Sequence, residues 1–276
     1  MPHTLQAFYP ASIFDLENLK RGLQLCSKKL NFNISESKPP STHHFYAGTT
    51  NDRAHSFIDS IQNEKVDIIW AARGGYGTID WLDALPTTAK PYLNKKIIGF
   101  SDLTALHAHL NNIGIVTIHG PMLATKGFIE ANPSELQSLL MAIADRSQSF
   151  EIKQGIPKQG KLIGGNLSVL SHLMGTPWQL RLSPGDFLFL EDINEAPYAL
   201  ARSLRQLSYS PHFEDCHIVW GQLTNCGDLE ELELLKVIME PYKNSWSYGL
   251  NAGHDRPNFS IQLGKMTTMS EKTISQ

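Results

Sequence analysis

A chain of 276 residues, 41% of them apolar, is long enough for a substantial core and for two medium domains. Its formal net charge of -3 and pI near 6.4 come without a basic stripe, which argues against nucleic acid and against an anionic membrane surface as partners. No apolar run reaches membrane-spanning length and Met1-Pro-His opens with neither a basic nor an apolar segment, so a soluble, cytoplasmic protein acting on a small molecule or peptide is expected.

In chain order, Leu5 to Tyr9 reads as a short strand ending at Pro10, followed by a helix with Leu16, Leu19 and Leu23 on one face. Phe32 and Ile34 alternate as a second strand. Ala54, Phe57, Ile58 and Ile61 mark a second helix, with Asn51 or Asp52 as the expected cap, and the strand Val66-Asp-Ile-Ile-Trp70 comes at once after it. Strands alternating with helices imply parallel pairing and an open sheet covered on both faces, with ligands collecting beyond the carboxyl ends of the strands. Two segments fall on that edge. The first is Ala72-Arg-Gly-Gly-Tyr-Gly-Thr78, whose glycines permit close approach of backbone amides to a ligand. It reads as half of an oxyanion hole, as a phosphate cradle, or as a plain tight turn; neither Gly-x-Gly-x-x-Gly nor the Gly-Lys-Ser/Thr of a nucleotide loop is present.

The second is Lys95 to Leu106, an apolar strand that runs through Gly99 into Ser101 and on into a helix carrying Ala105, Leu106 and Leu110. Ser101 therefore sits on a sharp corner, backed by amides that lack intrahelical partners and carry the positive end of the helix dipole. Either Ser101 or Asp102 merely caps this helix, or the corner presents a nucleophile with the Asp102 amide behind it. Leu103 stands where the Gly-x-Ser-x-Gly elbow has its second glycine, so that motif is not met.

Ile115 to Ile118 forms the next strand and places His119 at the same edge, as a pocket residue or a structural one. Asn132-Pro-Ser-Glu135 is a helix start with Asn as cap, Pro first and Glu completing a capping box. Composition turns polar from Arg146 to Gln159, which divides the chain into an N-terminal domain, 1–148, and a C-terminal domain, 149–276. In the second part, Lys161 to Leu167 is another glycine corner entering a helix. Phe187 to Leu190 is a strand ending in Glu191-Asp192, carboxylates that are ordinarily solvated. A helix follows Pro197, with Arg202 and Arg205 off its apolar face. His217 to Trp220 is a strand, Asp228 to Leu235 an acidic-faced helix, Phe259 to Ile261 the last strand, and the polar tail from Met266 is expected to fray. Cys26, Cys216 and Cys226 are odd in number and lack metal-type spacing, as expected of reduced, buried thiols.

A serine on a corner, a carboxylate at a strand end and a histidine in a glycine turn are the parts of a nucleophilic hydrolase, although the pattern alone does not select among the histidines. Six motifs in order do more: Arg73-Gly-Gly-Tyr-Gly-Thr78, Gly99-Phe-Ser-Asp-Leu-Thr-Ala-Leu106, His119-Gly-Pro-Met122, Gly164-Gly-Asn-Leu167 with Gly175-Thr-Pro177, Leu190 to Tyr198, and Gly253-His254. Together, from about Tyr9 to Gly264, they resemble the LD-carboxypeptidase family of serine peptidases.

The resemblance implies an α/β architecture, with a flavodoxin-like doubly wound parallel sheet domain and a smaller swivelling β/α C-terminal domain. It implies Ser101 as nucleophile, Glu191 as orienting carboxylate, His254 as base, and an oxyanion hole from the Asp102 amide and an amide of Gly74-Gly75. No metal or organic cofactor is implied, and a homodimer is. The implied reaction releases the terminal D-alanine of a murein tetrapeptide during cytoplasmic wall recycling. Arg73, His119 and Arg202 are candidates for substrate contacts, the arginines because a guanidinium suits a carboxylate. Two other readings stand beside this one: a microcin-immunity-type carboxypeptidase acting on a peptidyl-nucleotide, and a non-catalytic two-domain protein that binds a small ligand. The turn Asn251-Ala-Gly-His254 departs from the Pro-Phe-Gly-His usual in the family, which points to altered substrate preference.

Overall fold

β1 (Thr4–Phe8) is buried over all but its first residue, as befits a strand covered on both faces. In the computed structural model, which describes residues 2–276, it is followed by α1 (Leu16–Lys28), β2 (Asn33–Ser35), α2 (Thr50–Gln62), β3 (Ile68–Ala71), β4 (Lys96–Gly99), α3 (Thr104–Asn112) and β5 (Thr117–His119). These five strands are all parallel, in the spatial order β5-β4-β3-β1-β2, the doubly wound flavodoxin-like order expected from the alternation of strands and helices. Two local expectations shift. α2 is capped by Thr49, not by Asn51 or Asp52: the Thr49 hydroxyl accepts the Asp52 amide at 3.2 Å while Asp52 accepts the Thr49 amide at 2.9 Å, a reciprocal box that needs its carboxylate three residues inside. Leu16 is 55% exposed, so the buried face of α1 begins at Leu19.

After α4 (Lys126–Ile129), α5 (Pro133–Ile143) starts with the Asn132 and Glu135 box that the sequence indicates. The chain then builds a second sheet from β6 (Ser149–Glu151), β7 (Lys158–Asn166), α6 (Leu167–His172), β8 (Phe187–Ile193), α7 (Pro197–Leu207), β9 (His217–Thr224), α8 (Glu231–Met239) and β10 (Trp246–Tyr248). β7 to β10 are parallel neighbours. The next strand, β11 (Ile261–Leu263), crosses back and pairs antiparallel with β5, Ile261 opposite His119, so the C-terminal part supplies an edge strand to the first sheet.

The tail does not fray. β12 (Lys265–Met269) and β13 (Thr273–Ser275) extend the second sheet between β7 and β6, and Gln276 exchanges two backbone hydrogen bonds of 3.0 Å with Gln148. Thr267, Met269 and Ile274 are buried, a period-two pattern that the polar residues between them obscure.

One hydrophobic cluster runs through both sheets, joining Leu103, Leu106 and Leu110 to Leu167, Leu188 and Leu190. α3 lies inside this junction, with every residue from Thr104 to Asn111 buried. Its first residue bridges the two parts: Thr104 Oγ1 accepts the Asn166 amide at 2.9 Å, and a Cβ on Gly165, at φ +143°, would stand 2.5 Å from that oxygen, so only glycine fits.

Further along α3, His107 is fully buried with Nε2 2.9 Å from the Gly99 carbonyl, and burial pushes its pKa from 6.5 down to about 4, with the Gly99 bond opposing. A base depressed in this way binds protons more readily when unfolded, so stability is full above 6.5 and is lost as pH falls toward 4. At pH 5 the cost is on the order of 2 kcal/mol for this one group. The drop in Tm between pH 7 and pH 5 should be shallower in His107→Gln than in the wild type; parallel pH profiles would show that His107 does not carry the effect.

Candidate active site

β4 delivers the chain to Ser101, which adopts φ +61°. A serine in this left-handed region stores strain on the order of 1 kcal/mol, tolerated where the surrounding packing leaves no alternative. Neither Ser101 nor Asp102 caps the helix that follows: the single 3-10 turn Ser101–Leu103 and α3 both begin without a side-chain cap bond. The Ser101 hydroxyl is therefore not spent on the backbone, and the residue stays part-exposed at the edge of the first sheet.

Asp102 is 5% exposed and its carboxylate turns away from its own helix to accept the Thr78 amide at 2.9 Å. Burial pushes its pKa up to about 6, against the Thr78 bond, which favours the charge. This contact ties the glycine loop to the serine corner. Gly74 lies directly against Ser101, where an added Cβ would stand 3.3 Å from the serine Cβ, and Gly75 has φ +106° with Ser12 Oγ pressed against it. Ser12 also accepts the Tyr76 amide at 3.2 Å, and Arg53, 1% exposed, anchors the far end of the loop through Asp80 at 2.7 Å. The backbone of the glycine loop thus lies directly beside Ser101 and is tied to the residue that follows it.

Glu191 ends the apolar run of β8 and is 0% exposed, and Asp192 is 2% exposed, so the strand-end carboxylates are buried rather than solvated. Asp192 is consumed structurally, accepting Asn166 Nδ2 and the Ser168 amide, each at 2.9 Å, and the Ser168 hydroxyl at 2.8 Å. Glu191 has one oxygen, Oε2, 2.7 Å from His254 Nδ1. A carboxylate can only accept, so Nδ1 carries the proton and Nε2 is left as the basic nitrogen. Burial raises the Glu191 pKa, with the His254 bond and charge pulling against it. Burial opposes the His254 cation, yet the bond to Glu191 and its charge outweigh that and hold the imidazole above its ordinary 6.5.

The His254 ring packs on Phe100, centroid to centroid 4.7 Å, which brings it beside the residue that precedes Ser101. No direct hydrogen bond joins Ser101 to His254 among the described residues. His119 is not on the pocket wall. It is fully buried between Phe100 and Phe189, at centroid distances of 5.5 and 5.1 Å, where it supports the serine corner from below. Arg73 is exposed at the mouth of the glycine loop and donates to the Ile13 carbonyl at 3.0 Å. Arg202 lies on the exposed face of α7 with its guanidinium 5.3 Å from the Tyr198 ring, and has no bond to the residues above. Two residues that sequence reasoning passed over hold the histidine turn: Gln222 at the end of β9 and Glu135 on α5. Glu135 was visible only as a helix-capping residue.

Two parallel-rich α/β sheets with this site at their junction make a two-domain α/β protein of the peptidase kind. Models of the LD-carboxypeptidase N-terminal and C-terminal domains match residues 7–120 and 159–269, and the chain belongs to the LD-carboxypeptidase family. The probable murein peptide carboxypeptidase of Bacillus subtilis is 29% identical over 98% of this chain and 90% of its own. The microcin C7 self-immunity protein MccF of Escherichia coli is 25% identical over 92% of this chain and 86% of its own. In fold, the chain is similar to the muramoyltetrapeptide carboxypeptidase of Oxalobacter formigenes, with a TM-score of 0.89 over 99% of this chain and 98% of that one at 24% identity.

The hydrogen bond to Glu191 and its charge are what lift His254, so removing the charge should lower its pKa. In histidine-ring NMR, His254 should titrate above 6.5 in the wild type and at a lower midpoint in Glu191→Gln, where burial is opposed only by the Asp192 charge and a neutral acceptor. An unchanged midpoint would mean that the carboxylate does not govern the imidazole.

Proposed function

We propose that this protein is a serine carboxypeptidase that hydrolyses the amide between an L-centre and the terminal D-alanine of a murein tetrapeptide. The observation that supports this reading best is the buried Glu191 and His254 pair, 2.7 Å apart, brought from the second sheet against the Phe100-Ser101 corner of the first. The names of the relatives supply the substrate class.

In the proposed reaction His254 Nε2 takes the Ser101 proton as Oγ attacks the carbonyl carbon that precedes D-alanine. Glu191 keeps Nδ1 protonated and stabilises the imidazolium that forms. The tetrahedral oxyanion is met by the Asp102 amide and an amide of Gly74-Gly75, donors held in place before the substrate arrives. Imidazolium then protonates the leaving amine, D-alanine departs, and the peptide remains as an ester on Ser101. A water deprotonated by His254 releases the shortened peptide and restores the serine. Arg73, exposed beside the glycine loop, is the residue we assign to the terminal carboxylate of the substrate, because a guanidinium suits that group. Arg202, stacked on Tyr198 and unconnected to the triad, is the weaker candidate. Under the same proposal the enzyme is a cytoplasmic homodimer, needs no cofactor, and divides near residue 148 into a domain bearing the nucleophile and a domain bearing its two partners.

The match to the microcin self-immunity protein keeps a second substrate, a peptidyl-nucleotide, in view. A panel of tri-, tetra- and pentapeptide muropeptides together with an aminoacyl-sulfamoyl nucleoside, followed by mass spectrometry, separates the two. Release of D-alanine from the tetrapeptide alone is expected, and cleavage of the nucleoside alone would transfer the activity to the other class. Ser101→Ala should lower kcat by roughly 10⁴-fold or more with the fold intact. Full turnover in that variant would remove Ser101 from the mechanism, and no labelling of the wild type by a serine-directed phosphonate, with no turnover of any substrate in the panel, would leave only a ligand-binding role.

A further inference from the structure

His254 stands in an irregular turn, where no helix or strand ladder holds its backbone. The bond to Glu191 orients the ring but cannot by itself fix where the turn lies. We propose that Glu135, on α5 in the first half of the chain, is a positioning residue for His254, clamping the 253–258 turn from across the junction of the two sheets; the proposal rests on the reading of His254 as the base.

Four groups converge on this one side chain. Glu135 Oε1 accepts the Asn258 amide at 2.9 Å, and Oε2 accepts Arg256 Nη2 at 2.8 Å and the Asn132 amide at 2.8 Å; a longer contact of 3.5 Å runs from Arg256 Nε to Oε1. The connection continues to the histidine, because Asn258 Oδ1 accepts the Gly253 amide at 3.2 Å. Arg256 Nη2 also donates to the Glu130 carbonyl at 2.6 Å, just ahead of α5. One turn along the helix, the Ser138 hydroxyl accepts the Ser260 amide at 3.0 Å. From the opposite side Gln222 accepts the Asp255 amide at 3.0 Å and donates to the Pro257 carbonyl at 2.9 Å. The turn is therefore held between β9 of its own sheet and α5 of the other.

The protein contains its own comparison. Asp52 closes an equivalent capping box on α2, but in the open and with no partner from a distant segment. Glu135 is 2% exposed, although a cap alone needs no burial and a buried carboxylate is costly unless its oxygens are satisfied. Its burial is explained by the two donors that come from the histidine turn, at a separation of more than a hundred residues.

Glu135→Gln keeps the shape and the cap but replaces one accepting oxygen with an NH2 group that faces donors. Displacement of a catalytic group by about 1 Å costs up to roughly 100-fold. On a muropeptide substrate, kcat should fall roughly 10- to 100-fold with KM changed less than about threefold. Arg256→Ala should lower kcat in the same direction from an exposed position, and Arg256→Lys should restore part of it. A second readout needs no turnover: the proton between His254 Nδ1 and Glu191 gives a downfield resonance, assigned by its loss in His254→Gln, that should broaden or vanish in Glu135→Gln and persist in Asp52→Asn. If the wild type cleaves no muropeptide, the functional reading fails while the resonance still reports on the clamp. Wild-type kcat and resonance in Glu135→Gln, or an equal loss of both in Asp52→Asn, would overturn the positioning role.

Discussion

The hydrogen bond between Glu191 and His254 constrains more of this structure than any other contact. A carboxylate with no solvent exposure is tolerable only with a partner that carries or shares its charge, and Glu191 finds that partner in His254, 2.7 Å away. The pair can form only if a loop histidine is delivered to the end of β8 with little freedom. Gln222 on one flank and Glu135 on the other deliver it, and the edge strand β11 carries the chain on from that turn into the first sheet.

The Ser101 corner is built from the opposite sheet, and under the proposed mechanism it must meet this pair within a fraction of an ångström for chemistry to occur. The contacts at the junction are suited to that demand. α3 is buried on every side, Thr104 bonds to Asn166 across the two halves, and the largest apolar cluster spans both. Asp102 ties the serine corner to the glycine loop, since its carboxylate accepts the Thr78 amide. One residue thus couples the serine corner to the end of the glycine loop, so displacement of either is felt by the other.

Burial also sets the electrostatics, with opposite signs for acids and bases. It raises Asp102 to about 6 and lowers His107 to about 4, and both changes favour the uncharged form. His254 departs from this rule because Glu191 supplies a counter-charge strong enough to reverse it. Mild acid therefore acts on the site at two places: protonation of the His254 imidazole, and loss of the charged acceptor that holds Thr78.

Local order in the sequence determined a large part of this. Helical stripes, the Asn132 box, the serine corner and the glycine loop are legible because each is encoded within a few neighbouring residues. The carboxylate and the histidine were picked out by ordered family resemblance, since pattern alone did not choose His254 among the histidines. What only the tertiary structure decided are relations between distant segments. Glu191 and His254 lie 63 positions apart, and Glu135 reaches Asn258 across 123. The tail that reads as polar becomes two strands because β7 and β6, more than a hundred residues upstream, offer it open ladders and an apolar face. His119, open in the sequence between a pocket role and a structural one, is buried because Phe189 of the second sheet closes over it. Hydrogen-bond and burial partners of this kind leave no trace in local periodicity, because either segment is ordinary until the other is brought against it.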